Sequence, residues 1–76
     1  MNYHTVKTRE EFQSLLATIA GSLPVYYGTG NPNETPHVTC VAMDAWSTGV
    51  TGYHIHVNPE GDGYMKPYTV HSVTFA

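Results

Sequence analysis

Cysteine is nearly absent: Cys40 stands alone in 76 residues, so no intramolecular disulfide can form. That argues against a small secreted scaffold and for a reducing, cytosolic setting. Fixed positive charge is almost as scarce. Lys7, Arg9 and Lys66 are the 3 basic residues, too few for the electrostatic footprint of a nucleic-acid binder. The 6 acidic residues are likewise too few for a nucleic-acid mimic. No run approaches the roughly 18 apolar residues of a membrane helix. The first residues lack the basic start and apolar stretch of a secretory signal, so the chain is expected to begin at its native start as a complete small product. There is no internal repeat and no low-complexity tract. Charged residues make up 12% of the chain, about half the usual share. Thr, Ser, Asn, Gly, His and Tyr must therefore carry much of the surface, which is a solubility risk for a free monomer. A protein held against a partner, or a homo-oligomer, fits that surface.

A single small domain, 1–76, is all the length allows. It buries only about 60% of its unfolded surface. Thr8-Arg9-Glu10-Glu11 fits a capping box, in which Thr8 takes an amide proton of the first turn and Glu11 reaches back. Phe12, Leu15, Leu16 and Ile19 follow at helical spacing, and Gly21 supplies the stop. The spacing predicts a helix over 9–20, with Glu10, Gln13, Ser14 and Thr18 outward. The pattern then changes to period 2. Strands are expected at 24–27, 37–44, 50–57 and 68–75, with a weak edge segment at 3–6. Residues 28–36 form a long loop of turn formers, and long loops in small domains are often functional. Gly52 marks a bulge or a close approach inside a strand. Helix first and sequential strands after predict an α+β two-layer sandwich, one N-terminal helix packed on a three- to four-stranded antiparallel β-meander. Phe12, Leu15, Leu16, Ile19, Ile55 and Val57 are the expected core.

His54-Ile55-His56 places two imidazoles on one strand face and Ile55 on the other. If the following connection is spanned symmetrically, Val57 pairs with Tyr68 and His54 lies opposite His71. Three imidazoles would then converge, a known zinc arrangement. On the other side one register puts Cys40 beside His54, and the alternative turns it into the core. His54-x-His56 followed by Glu60 resembles part of the cupin metal motif. The likeness covers about a dozen positions and breaks at both ends. Gly49 stands one residue too close to His54, and Pro67 takes the place of the final glycine. A cupin barrel also needs more strands than 76 residues supply. The preferred expectation is no metal and no cofactor, with His54, His56 and His71 as the ligands if a metal binds.

No serine sits in a nucleophile elbow. Cys40, between Thr39 and Val41, reads as packing rather than as a nucleophile. Gly28-Thr29-Gly30 is too short for a phosphate loop. Glu60 and Asp62 lack the alternation of a calcium loop. The expectation is therefore no enzyme. Trp46 at a turn tip, with Tyr27, Tyr64 and the polar loop residues Asn31, Asn33 and Glu34, forms the candidate partner-binding set, because Trp and Tyr dominate interface hot spots. Size and lack of chemistry suggest a non-enzymatic protein-binding module that occludes a host protein or complex. A phage or mobile-element inhibitor of a host defence system, anti-CRISPR-like, is one such module and would act in the bacterial cytoplasm. No direct nucleic-acid or membrane contact is expected. The alternatives are a small metal- or ligand-binding protein built on the histidines, or an oligomeric virion subunit.

Overall fold

The computed structural model describes residues 2–28, 35–45 and 49–76. In chain order these form β1 (Asn2–Val6), α1 (Arg9–Ala20), β2 (Val25–Tyr27), β3 (His37–Ala45), β4 (Gly49–Asn58) and β5 (Thr69–Phe75). The helix takes the bounds its sequence signals predict. Thr8 accepts a hydrogen bond from the Glu11 amide at 3.1 Å, and Glu11 takes the Lys7 amide at 3.1 Å, a variant of the capping box one residue upstream. Gly21 closes the helix at φ 61°, with its amide on the Ala17 carbonyl.

The strands form one five-stranded sheet in the order β1-β5-β4-β3-β2. β3, β4 and β5 are the expected antiparallel meander. The sheet as a whole is mixed, however. β1 pairs with β5 in parallel and β2 pairs with β3 in parallel, so β4 alone runs against the rest. This corrects the expectation of a three- to four-stranded antiparallel sheet. Parallel neighbours need a crossover connection, and residues 28–36 make the one between β2 and β3. α1 carries the chain from β1 at one edge to β2 at the other. Both edge strands are short, which limits the unpaired backbone they present.

A one-residue difference in register decides which side chains share a face. Val57 pairs with Thr69, not Tyr68, because β4 continues through Asn58 and Tyr68 stays outside β5. His54 therefore lies opposite Ser72, while His71 pairs with Ile55 and joins the helix-covered face. Cys40 likewise pairs with Ile55 and turns into the core. The core comprises Val6, Phe12, Leu16, Ala20, Val38, Cys40, Ile55 and Val73. Leu15, Ile19 and Val57, expected there too, are partly buried against it. Gly52 is a close approach and also borders a bulge: a Cβ there would collide with the Val73 carbonyl oxygen and crowd the Met43 methyl. The extra residue of the bulge is Thr51 on β4, beside Gly52, where the pairing steps from Met43–Gly52 to Asp44–Val50.

Among the described residues no helix is long and apolar enough to cross a membrane.

Candidate functional site

The connection between β4 and β5 begins as a tight turn, with the Gly61 amide on the Asn58 carbonyl at 3.1 Å. A second turn follows, closed by the Lys66 amide on the Gly63 carbonyl at 3.3 Å. Its third residue, Met65, sits at φ 68°, a position that glycine ordinarily fills in turns of this kind. A left-handed conformation costs a non-glycine residue roughly 1–2 kcal/mol. The turn holds Tyr64 and Met65 outward, 94% and 85% exposed, and Tyr68 at the far end of the connection is 64% exposed. Two large apolar side chains almost wholly in solvent on a strained turn form a protruding tip. Strain of this kind persists where the surroundings over-determine it and clusters at functional sites.

Beneath this connection lies the face of the sheet that the helix does not cover. His37 is fully buried there. Its Nδ1–H donates to the Thr35 carbonyl at 2.8 Å, which leaves Nε2 on the side of Asn58 and Asp62. Asn58 Nδ2 donates toward that nitrogen at 3.5 Å, and the Asp62 carboxylate stands 3.7 Å from it. In the same hollow His56 stacks on Tyr68 at a centroid distance of 6.4 Å. Burial lowers the His56 pKa from the ordinary imidazole value, and His54 adds to this, against an opposing pull from Asp62. The hollow is about 320 Å3, with Asn58, Asp62, Lys66 and Tyr68 around it. His54 Nδ1 is buried without a hydrogen-bond partner.

His71 is on the other side of the sheet, hydrogen-bonded to His4 at 3.0 Å with the rings stacked. The predicted convergence of His54, His56 and His71 does not form, because the register sends the third imidazole to the opposite face. Among the described residues no group of three or more His, Cys, Asp or Glu could hold a metal. Cys40 cannot act with His54 or His56 either, since it faces the helix, and burial pushes its thiol pKa up to about 11.

Of the expected partner-binding residues, Trp46, Asn31, Asn33 and Glu34 lie outside the described residues. Tyr27 and Tyr64 are exposed as expected but belong to different places. Tyr64 is on the tip, whereas Tyr27 lines a cleft at the start of α1 with Phe12, Tyr53 and Phe75. Sequence reasoning missed Met65 and Tyr68 beside Tyr64; the run Gly63-Tyr64-Met65-Lys66-Pro67-Tyr68 is a turn-former frame around large apolar residues. It also missed the pairing of His37 with Asp62, which joins residues far apart in the chain.

No family model, curated protein or solved structure gives a significant match to this chain.

Proposed function

We propose that this protein is a non-enzymatic binding module that acts by covering a surface of a partner protein, with the Tyr64–Met65 tip as its anchor. The observation that carries the reading is the tip itself, where a strained turn holds the two side chains in solvent. Exposed aromatics with a rigid support bury large areas at low entropic cost, and such residues dominate binding hot spots. The scarcity of fixed charge, 12% of residues, favours a contact of apolar rather than electrostatic character, with weak dependence on salt. A host protein in the bacterial cytoplasm, blocked in the manner of anti-CRISPR-like inhibitors of defence systems, is the partner class we favour.

The test is capture from bacterial lysate with the parent chain and with a Tyr64→Ser, Met65→Ser variant in parallel. The reading predicts a partner retained by the parent and lost by the variant, with affinity falling more than about 30-fold and the melting temperature of the free protein unchanged. Equal retention by both chains would overturn it.

A further inference from the structure

At the start of α1, on the helix-covered side, the described residues enclose a cleft of about 470 Å3. This is within the range of small-molecule sites, about 300–1,000 Å3. Its floor is aromatic. Phe12 stacks on Tyr53 at 4.8 Å between centroids, and Phe75 meets both edge-on, at 5.7 Å from Phe12 and 5.9 Å from Tyr53. Phe12 is buried, while Tyr53 and Phe75 are half-buried and so present ring surface to the cleft. Tyr27, exposed on the edge strand β2, forms one wall.

The rim is cationic. Lys7 and Arg9 line it, two of only 3 basic residues in a chain of net charge -3. Among the described residues neither forms an ion pair. The acids of the same helical turn, Glu10 and Glu11, line a separate hollow with His4 and Leu15, and the Glu11 carboxylate accepts from the Lys7 backbone amide. Helical spacing accounts for the division, because Arg9 and Phe12 fall on one flank of α1 while Glu11 and Leu15 fall on the other. A chain with little positive charge thus places two of its three cations, without ion-pair partners among the described residues, beside the Phe12–Tyr53–Phe75 ring cluster.

We propose that this cleft binds a small aromatic carboxylate, with its ring against Tyr53 and Phe75 and its carboxylate between Arg9 and Lys7. Both halves of the ligand are needed. The guanidinium presents a planar fork of donors that matches a carboxylate. The rings offer offset or edge-on contact to a planar group. A neutral aromatic leaves the cations unanswered, and a simple anion leaves the aromatic floor in water. The site is separate from the Tyr64–Met65 tip and stands or falls independently of it.

Indole-3-acetate serves as the probe, followed by the ring resonances of Tyr53 and Phe75 in an NMR titration of the whole chain. Indole-3-acetamide and acetate are the controls. Saturable shifts of both rings are expected with indole-3-acetate, and binding at least about tenfold weaker with either control. Lys7→Gln with Arg9→Gln should weaken indole-3-acetate by about tenfold or more while the melt stays that of the parent, since both positions are exposed. Lys66→Gln removes the third cation away from the cleft and should leave binding unchanged. No saturable shift at millimolar probe, equal binding of the amide, or an equal loss in Lys66→Gln would each overturn the proposal.

Discussion

His37 and Val38 are neighbours in the chain, both fully buried, and they face opposite sides of the sheet. Val38 lies under the helix with its side chain packed among Cys40, Ile55 and Val73. His37 lies on the other side, held by the Thr35 carbonyl and flanked by Asn58 and Asp62. The contrast extends along both faces. The helix side buries aliphatic and aromatic groups, whereas the open side buries His37, Asn58 and Ser72 and keeps His54 and His56 half-covered. Among the described residues one helix covers one face of the sheet, and the loop that carries the exposed tip covers part of the second face, with Asp62 against His37 and Tyr68 against His56.

The largest effect should come from the packed side. Ile55→Ala removes a fully buried side chain at the centre of the core and should cost about 2–5 kcal/mol. In a domain this small that is most or all of the net stability, and denaturant melts will show it. A cooperative melt within a degree of the parent would contradict the assignment of that face as the core.

Gly52→Ala tests whether the open side is tightly built where β4 meets the β5 backbone. Gly52 faces the same side as His54, with the β5 backbone and the Met43 methyl against it. The added methyl should cost about 1–3 kcal/mol by overpacking, read as a lower melting temperature at unchanged denaturant slope. His37→Leu is comparable or slightly smaller. It keeps an apolar body at a site without solvent and removes the hydrogen bond to Thr35 and the contact to Asp62, at about 1–3 kcal/mol. If His37→Leu stabilises the protein, the open face is held by burial alone and the distinction between the faces collapses.

The smallest of these effects is a pH dependence shared by the two sides. His71, on the helix side, has a pKa lowered by burial and by its neighbour His4; His56, on the open side, is lowered by burial and by His54. In each case the fold prefers the neutral ring. The unfolded chain takes up its proton near the ordinary value of about 6.5, before the folded one does. Stability is therefore complete above that value, falls as pH drops through it toward the lower folded pKa, and levels off below. Thermal melts between about pH 7.5 and 5 should show the decline. His71→Gln and His56→Gln should each flatten it, and a steeper decline in either variant would reverse the sign assigned here.

What the chain disclosed in advance follows a physical pattern. α1 was legible because Thr8, Glu11, the Phe12 to Ile19 stripe and Gly21 are all local signals. The opposite facing of Ile55 and His54 was legible because strand alternation is local too. The pairing of β1 with β5 and of β2 with β3 was not, since it joins distant segments and both strands are too short to show a pattern. The histidine register failed by one residue, at Asn58 and Tyr68, which no periodicity marks as inside or outside a strand. Tyr64 could be singled out from its glycine-rich setting. The strained backbone of Met65 could not, because its φ is fixed by the turn around it. The cationic cleft escaped notice because Lys7, Tyr53 and Phe75 come from three parts of the chain.

Met65→Gly offers the most direct test of the central claim, that the tip is held in a costly conformation for binding and not for the fold. Glycine adopts φ 68° freely. The substitution should leave stability unchanged or raise it by up to about 1 kcal/mol, a gain in melting temperature of up to about 4–8 °C in a domain of this size. It also removes an anchor side chain, so affinity for the captured partner should fall by about tenfold or more. A melting temperature that drops, together with partner binding equal to that of the parent, would contradict the account.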